Sequence, residues 1–368
     1  MPDPQKTPPA HVTLEAIRSA VVEQIDAGVS QTRSRFDRLG EEIEDQFDVA
    51  TRLVAGGKRL RAAFAVAGWT AHGGAEMASP IVLAGSGLEL FQAAALVHDD
   101  VIDDSLTRRG APAAHRQFAA MHAERSMAGA GEEFGRAGAI LLGDLLLVMA
   151  QRQLLEASMQ LPSEPAQRSR QIVTDMMTEV TLGQYLDIYA QSAPWHADPT
   201  VDVDRAHRVL RSKSARYSVE HPLLLGAAMA GATETELHRC SRVGLLVGEA
   251  FQLRDDLLGI FGDPEHTGKP TGDDIREGKR TILMTTAMTL APAAEAAELR
   301  AMLGRPVQDA EVDRARTILS RCGAVEAIEA MIAERTEAAY AQIDAADWPP
   351  LAADLLRLVA QVATTRTR

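Results

Sequence analysis

Four aspartates, Asp99, Asp100, Asp103 and Asp104, follow the apolar run Ala93–Val97. On a helix, at about 100° per residue, Asp99 and Asp103 share one face and Asp100 and Asp104 the adjoining one. Like charges at this spacing destabilise an isolated helix, and in a partly dry setting they raise one another's pKa. A divalent cation relieves both effects. Mg²⁺ takes one or two carboxylates per ion and completes its octahedron with water and phosphate oxygens. A second pair, Asp255 and Asp256, again follows an apolar stretch, with Arg254 beside it as a potential balancing charge. Either cluster alone also reads as a solvated acidic helix end, which is how most charge runs behave. Two of them in one chain favour a metal-assisted phosphate site. LVHDDVID (Leu96–Asp103) and QLRDDLLG (Gln252–Gly259) echo one another, as two helices aimed at one place would.

The cations alternate with these carboxylates. GGKRLR (Gly56–Arg61) puts Lys58, Arg59 and Arg61 after a glycine turn at a helix start, where backbone N–H groups and the helix dipole favour an anion. Arg108 and Arg109 follow the first aspartate cluster, Lys213 precedes the second, and Lys269 and Lys279 lie in or beside the segment after it. Two readings fit: surface ion pairs, or a site for a polyanion held both directly and through metal. A metal-bound diphosphate uses the second arrangement.

These residues need elements to position them, and helical periodicity dominates the chain. Ile17, Val21 and Ile25 form one stripe and Ile43, Phe47, Ala50 and Val54 another. The pair Gly56-Gly57 ends the second helix, and Ser79-Pro80 starts one that runs to about Ser105. Thr233 and Glu236 form a capping-box pair ahead of a helix through Phe261. Further helices are expected at 137–160, 166–190, 203–218, 274–290, 309–321, 324–344 and 350–363, with irregular segments at 107–136, 191–201 and 262–273. GAGEEFG in the first irregular segment reads as too glycine-rich for a helix interior. With no run of alternating β-branched residues, the expected fold is all-α: a disordered lead-in over 1–12, with four prolines, then one domain over 13–368.

With 368 residues, 46% of them hydrophobic, the chain can bury a substantial core. Its net charge of −13 argues against a nucleic-acid partner, which needs basic surface. The apolar stretches Ile81–Val97 and Ala137–Ala150 are interrupted by Glu89, Gln92 and Asp144, so no membrane span is expected. Cys240 and Cys322 make neither a disulfide framework nor a metal spacing, which points to a reducing, cytoplasmic setting.

In order along residues 40–285, GGKRLR, HDDVIDDSLTRRG, GQYLD, SKSA, FQLRDD and GKPTGDDIREGKRT resemble the landmarks of the trans-isoprenyl diphosphate synthases, or polyprenyl synthetases. The resemblance implies a large helical bundle around a central cavity, a homodimer, and Mg²⁺ as cofactor, three ions for which Mn²⁺ can substitute. It implies Asp99, Asp100 and Asp103 as the first metal site, and Asp255 and Asp256 as the second. Lys58, Arg61 and Arg109 match positions that bind isopentenyl diphosphate. Arg108, Lys213, Gln252, Lys269 and Lys279 match positions around the allylic diphosphate, and Gln184 and Asp187 a mid-cavity pair.

Two positions depart from the family pattern. Gln92 stands where a histidine of the isopentenyl site is usual, and Gly259 where many members carry the third aspartate of the second motif. Asp263 is near in sequence, but Gly259 and Gly262 interrupt the helix that would carry it. Product length is expected to be set upstream of Asp99. Ala94 and Ala95 leave the first turn open, and Phe91 is the first bulky residue, with Leu88 beyond it. Since a turn is about 5.4 Å, on the order of one isoprene unit, the expected product is geranylgeranyl diphosphate, with twenty carbons. The alternatives are a class I terpene cyclase, which has no need of GGKRLR or TRRG, a longer-chain synthase, a non-catalytic partner subunit, and a divalent-ion-binding helical scaffold.

Overall fold

Alanine and leucine recur along the chain, and the described residues of the computed structural model, 10–75, 77–263 and 272–365, are almost entirely helical. They fall into two compact units: Met1–Gln171 with Pro222–Glu234 and Trp348–Leu358, and Ile172–His221 with Thr235–Asp347 and Val359–Arg368.

Unit 1 contains α1 (Ala10–Arg35), α2 (Glu44–Val54), α3 (Leu60–Ala71), α4 (Ser79–Ile102), α5 (Ala114–Glu124) and α6 (Gly131–Met159). It also takes the start of α7 (Ser163–Ser192), most of α9 (His221–Met229) and much of α16 (Pro350–Thr364). α4 is central, packed against α1, α3 and α6. Small residues permit this closeness: a Cβ at Gly85 would lie 3.0 Å from that of Ala62 on α3 and 3.2 Å from a methyl of Val21 on α1. α4 is long and apolar enough to cross a bilayer, yet 72% of its most apolar window is buried inside the protein.

Two expectations need correction here. Helix α1 begins at Ala10, inside the expected lead-in, whose residues 1–9 lie outside the described residues. The segment 107–136 is mostly ordered: Thr107–Arg108 and Ala111–Pro112 pair as a short antiparallel hairpin, α5 follows, and α6 starts at Gly131. Gly129, at φ 95°, precedes the helix, and the two later glycines of GAGEEFG are tolerated in it because they pack on α5. A side chain at Gly135 would run into the carbonyl of His115 and lie 3.0 Å from the Cβ of Ala119, both on α5. The composition read as a loop is a close helix–helix contact.

Unit 2 contains the rest of α7, α8 (Pro199–Val209), a π-helical stretch Leu210–Glu220, α10 (Glu234–Phe261) and α11 (Asp273–Arg276). Next come α12 (Ile282–Leu290), α13 (Ala293–Met302), α14 (Asp309–Arg321) and α15 (Ala324–Asp344). Its core includes Leu253, Leu257, Ile260, Ile275, Leu283 and Ile318. The single helix expected over 203–218 is thus α-helical only to Val209 and widens into π geometry. The helix expected over 274–290 is broken after Arg276, because Gly278 takes φ 73° and Thr281 caps α12 by accepting from Met284 N.

Candidate active site

In unit 1 the first aspartate motif stands at the C-terminus of α4. Asp99 and Asp100 occupy its last turn, and Asp103 caps it, its N–H donating to Asp99 O at 2.8 Å. The expected second i,i+4 pair does not form. Asp104 takes a left-handed φ of 52°, leaves the helix, and pairs with Arg116 at 3.0 Å and Arg136 at 3.6 Å. The motif therefore presents Asp99, Asp100 and Asp103, while Asp104 ties α5 and α6 to the end of α4.

Arg108 and Arg109 are separated by the hairpin. Arg109 and Gly110 form its two-residue turn, with φ 54° and 76°, the pattern of a type I′ connection. Arg108 points back to the motif: its Nε donates to both oxygens of buried Asp100 at 3.0 and 3.1 Å, and its Nη2 lies 3.5 Å from Asp99 Oδ2. Arg109 points to the α2–α3 turn, donating from Nη1 to Gly56 O at 3.0 Å and Leu53 O at 3.2 Å. Burial holds its pKa below the ordinary value, as do the positive charges of Arg59, Arg108 and Arg61, against a partial offset from Glu89.

A cavity of about 500 Å³ opens among these groups, lined by Arg52, Arg59, Glu89, Gln92, Arg108 and Arg109 with apolar walls at Ala93 and Leu96. Glu89 is the one acidic side chain in this lining. Sequence reasoning grouped Arg59 with Lys58 and Arg61 as cations for an anion, and the structure gives it a buried partner of its own. It precedes α3 in the left-handed region at φ 54°, is buried, and donates to Val54 O. Its Nη1 lies 3.7 Å from Glu89 Oε2, and Glu89 Oε1 accepts from Ala62 N at 3.3 Å. This buried pair fixes the turn that carries exposed Lys58 and half-buried Arg61, which flank the cavity without lining it. On α4, Phe91, Ala94 and Leu88 are buried, and Ala95 is half-buried.

In unit 2 glycines bring the functional side chains together. A Cβ at Gly183 on α7 would lie 2.6 Å from the backbone N of Lys213, so the π-helical stretch rests directly on α7. One turn further along α7, Asp187 accepts from Lys213 Nζ at 2.7 Å. Gly248 on α10 similarly admits Ala215, whose carbonyl carbon would lie 2.8 Å from an added Cβ. One turn on, Gln252 accepts from Ser214 Oγ and donates to Asp256 Oδ1 at 2.8 Å. Gln184 lies between Gly183 and Asp187 on the same helix and is half-buried.

Asp256 is buried, and its pKa stands well above the usual carboxylate value. Burial is the main cause, reinforced by Asp274, Asp255 and Asp187, and the bond from Gln252 only partly compensates. Arg254 does not balance this cluster. It turns to Glu329, at 2.8 and 2.6 Å, and to Thr364 O. Lys279 pairs with Glu277 and lies 4.0 Å from Asp274 Oδ1. Asp263 falls beyond the end of α10, and Lys269 lies outside the described residues.

The donors in both clusters are hard carboxylate oxygens, and a buried, poorly compensated carboxylate such as Asp256 suits a cation. Among the described residues no three His, Cys, Asp or Glu side chains already form a closed metal site.

The fold is all-helical and carries two aspartate-rich helix segments, the first beside an arginine-lined cavity, a set of groups suited to a metal-bound polyanion. A sequence model of the polyprenyl synthetases matches residues 46–319, and the chain belongs to that family. It is similar to a geranylgeranyl diphosphate synthase of Mycobacterium tuberculosis, 33% identical over 83% of this chain and 80% of the relative. A nonaprenyl diphosphate synthase of the same organism is 32% identical over 80% of this chain and 79% of the relative. The crystal structure of a geranylgeranyl pyrophosphate synthase from Corynebacterium glutamicum, complexed with isoprenyl diphosphate and magnesium, superposes with a TM-score of 0.90. It is 37% identical, with 96% of this chain and 99% of that one covered. The chain is accordingly a prenyltransferase, a trans-prenyl diphosphate synthase.

Proposed function

We propose that the enzyme condenses isopentenyl diphosphate with an allylic diphosphate in head-to-tail fashion and that its main product is geranylgeranyl diphosphate. The arginine-lined cavity beside α4 carries this reading: it gathers Arg52, Arg59, Arg108 and Arg109, of which Arg59 pairs with Glu89 and Arg108 with Asp100, and a polyanion suits so basic a lining. Arg109, with Lys58 and Arg61 from the adjacent turn, holds the isopentenyl diphosphate. Gln92 donates an amide N–H where a histidine is usual, contributing orientation and no charge. A terpene cyclase, which binds one diphosphate, has no use for this basic pocket in addition to the aspartate clusters.

Arg108, Lys213, Gln252, Lys269 and Lys279 hold the allylic diphosphate, with Gln184 alongside. Asp99, Asp100, Asp103, Asp255 and Asp256 bind Mg²⁺, three ions with Mn²⁺ as a substitute; magnesium in the Corynebacterium complex supports this choice. When bound, the metal supplies Lewis-acid stabilisation of the charge that develops on the departing diphosphate. As the allylic C–O bond breaks, the double bond of isopentenyl diphosphate attacks the allylic carbon, and the released diphosphate takes the proton. The chain's own part is to align two diphosphates, keep water from the cation and place positive charge at the leaving group.

The two units act as one catalytic domain, and the enzyme works as a homodimer. Leu141, Val148, Leu155 and Met159 support the dimer: the first three recur about every two turns along α6, Met159 follows one turn later, and they are 62%, 62%, 52% and 73% exposed. Two unpaired cysteines fit a reducing cytoplasm.

Incubation with Mg²⁺, isopentenyl diphosphate and each allylic starter, followed by chromatography, tests the reaction. A twenty-carbon product is expected, and product formation without isopentenyl diphosphate would overturn the synthase reading. Ala95→Phe should stop growth near fifteen carbons and Phe91→Ala should extend it beyond twenty. Unchanged lengths in both, or a nonaprenyl product from the native enzyme, would remove the case for a stop at Phe91.

A further inference from the structure

Of the four arginines that line the cavity beside α4, two are neutralised in place, Arg59 by Glu89 and Arg108 by Asp100. The other two keep their charge. Arg109 bonds the carbonyl oxygens of Leu53 and Gly56 and, among the described residues, forms no ion pair. Arg52, on α2, bonds an amide: its Nε and Nη2 donate to Gln117 Oε1 at 3.2 and 3.1 Å. Asp48 lies one turn before Arg52 on the same helix, but its carboxylate is turned to Arg33, at 3.3 Å. Asp45, which shares an outer groove with Arg52, is taken by Arg125 at 2.7 Å.

The Arg52 side chain is exposed yet held. Gln117, on α5, is itself anchored, since its Nε2 donates to Pro112 O at 2.8 Å on the second strand of the hairpin. The turn of that hairpin carries Arg109, which donates at 3.2 Å to the carbonyl of Leu53, the residue after Arg52. This circuit of contacts brings both unneutralised guanidinium groups to the same cavity. Gln92, in the same lining, adds an amide and no charge.

We propose that Arg52 is a further binding residue for isopentenyl diphosphate, a second permanent charge on the diphosphate that Arg109 holds. This rests on the assignment of the cavity to isopentenyl diphosphate above. With Nε and Nη2 on Gln117, Nη1 remains to meet a phosphate oxygen. Two arginines from different elements suit a diphosphate, whose charge is spread over two phosphoryl groups. The bond to Gln117 orders the long side chain in advance, so less freedom is lost when the ligand arrives.

The competing reading is a strut, in which Arg52 only ties α2 to α5 through Gln117. Steady-state kinetics of the full-length enzyme with Mg²⁺ and an allylic starter separates the two. KM is taken for each substrate, and melting temperature is followed in parallel. Arg52→Gln should raise KM for isopentenyl diphosphate roughly tenfold, with KM for the allylic substrate and the melting temperature unchanged. Arg52→Lys keeps the charge and Gln117→Ala removes the strut alone, so each should stay within about threefold of the native KM. Arg109→Gln is the control for the cavity itself. A rise in KM in Arg109→Gln but not in Arg52→Gln overturns this proposal alone. So does a Gln117→Ala variant as impaired as Arg52→Gln, because the strut then accounts for the whole effect. Unchanged KM in both Arg52→Gln and Arg109→Gln overturns the assignment of the cavity to isopentenyl diphosphate as well.

Discussion

At Asp256 the cost of the site is written into a single side chain. Its carboxyl is buried, and its pKa is raised by burial and by neighbouring carboxylates, so the folded state holds its proton to higher pH than the unfolded state does. Between the ordinary and the raised value stability falls as pH rises, and above the raised value the full cost is present. Asp256→Asn removes that cost while leaving an oxygen to accept from Gln252. Without metal at neutral pH the variant should melt higher than the native enzyme, by thermal denaturation in a chelator. With Mg²⁺ and diphosphate that advantage should shrink or reverse, and prenyl transfer should fall sharply. Equal melting temperatures without metal would show that the burial cost is offset elsewhere. At this scale the sequence was legible where neighbours along the chain decide the outcome: Asp99, Asp100 and Asp103 share a helix end. It was not legible where one backbone torsion or one distant partner decides. Asp104 leaves through a left-handed turn, Arg254 goes to Glu329, and Arg59 is a buried strut beside Lys58 and Arg61.

Among the elements, the π-helical stretch Leu210–Glu220 does the most positioning. It widens where it rests on Gly183 and Gly248, and so delivers Lys213 to Asp187 and Ser214 to Gln252. Such widened turns occur often at functional sites, and helical periodicity does not reveal them. At its end His221 is buried, and burial, followed by the charge of Arg216, lowers its pKa to about 4. The Glu179 carboxylate is 3.8 Å from His221 Nε2 but is shared with Arg216 at 3.1 Å, and burial prevails. The unfolded chain takes up this proton near pH 6.5, whereas the folded one resists it until about pH 4, so stability is lost as pH falls through that window. His221→Gln should flatten the acid limb of the stability curve by up to about 3 kcal/mol, read by denaturant unfolding at a series of pH values. An unchanged limb would assign the acid sensitivity to other groups.

For the whole molecule, the exposed stripe on α6 matters most. Four large apolar side chains in line on one helix are more than scattered surface hydrophobics. Leu141→Glu with Val148→Glu should convert a dimer to a monomer at micromolar concentration, measured by light scattering after gel filtration. Two exposed sites remote from the core should leave helix content unchanged. A native protein that runs as a monomer would overturn the dimer reading.

The sequence by itself determined the all-α class, most helix bounds to within a few residues, the first aspartate motif with its arginine pair, and the family. The helices and the aspartate motif depend on spacing along one helix, where the period of 3.6 residues fixes which side chains share a face, and the family rests on the resemblance of its ordered motifs. Tertiary structure alone decided that GAGEEFG opens a helix, that Arg108 and Arg109 part at a hairpin turn, and that Asp274 occupies the space at Gly259. In each case the deciding contact joins residues from different elements, and glycine, which reads as a break in a linear pattern, is what lets those elements touch.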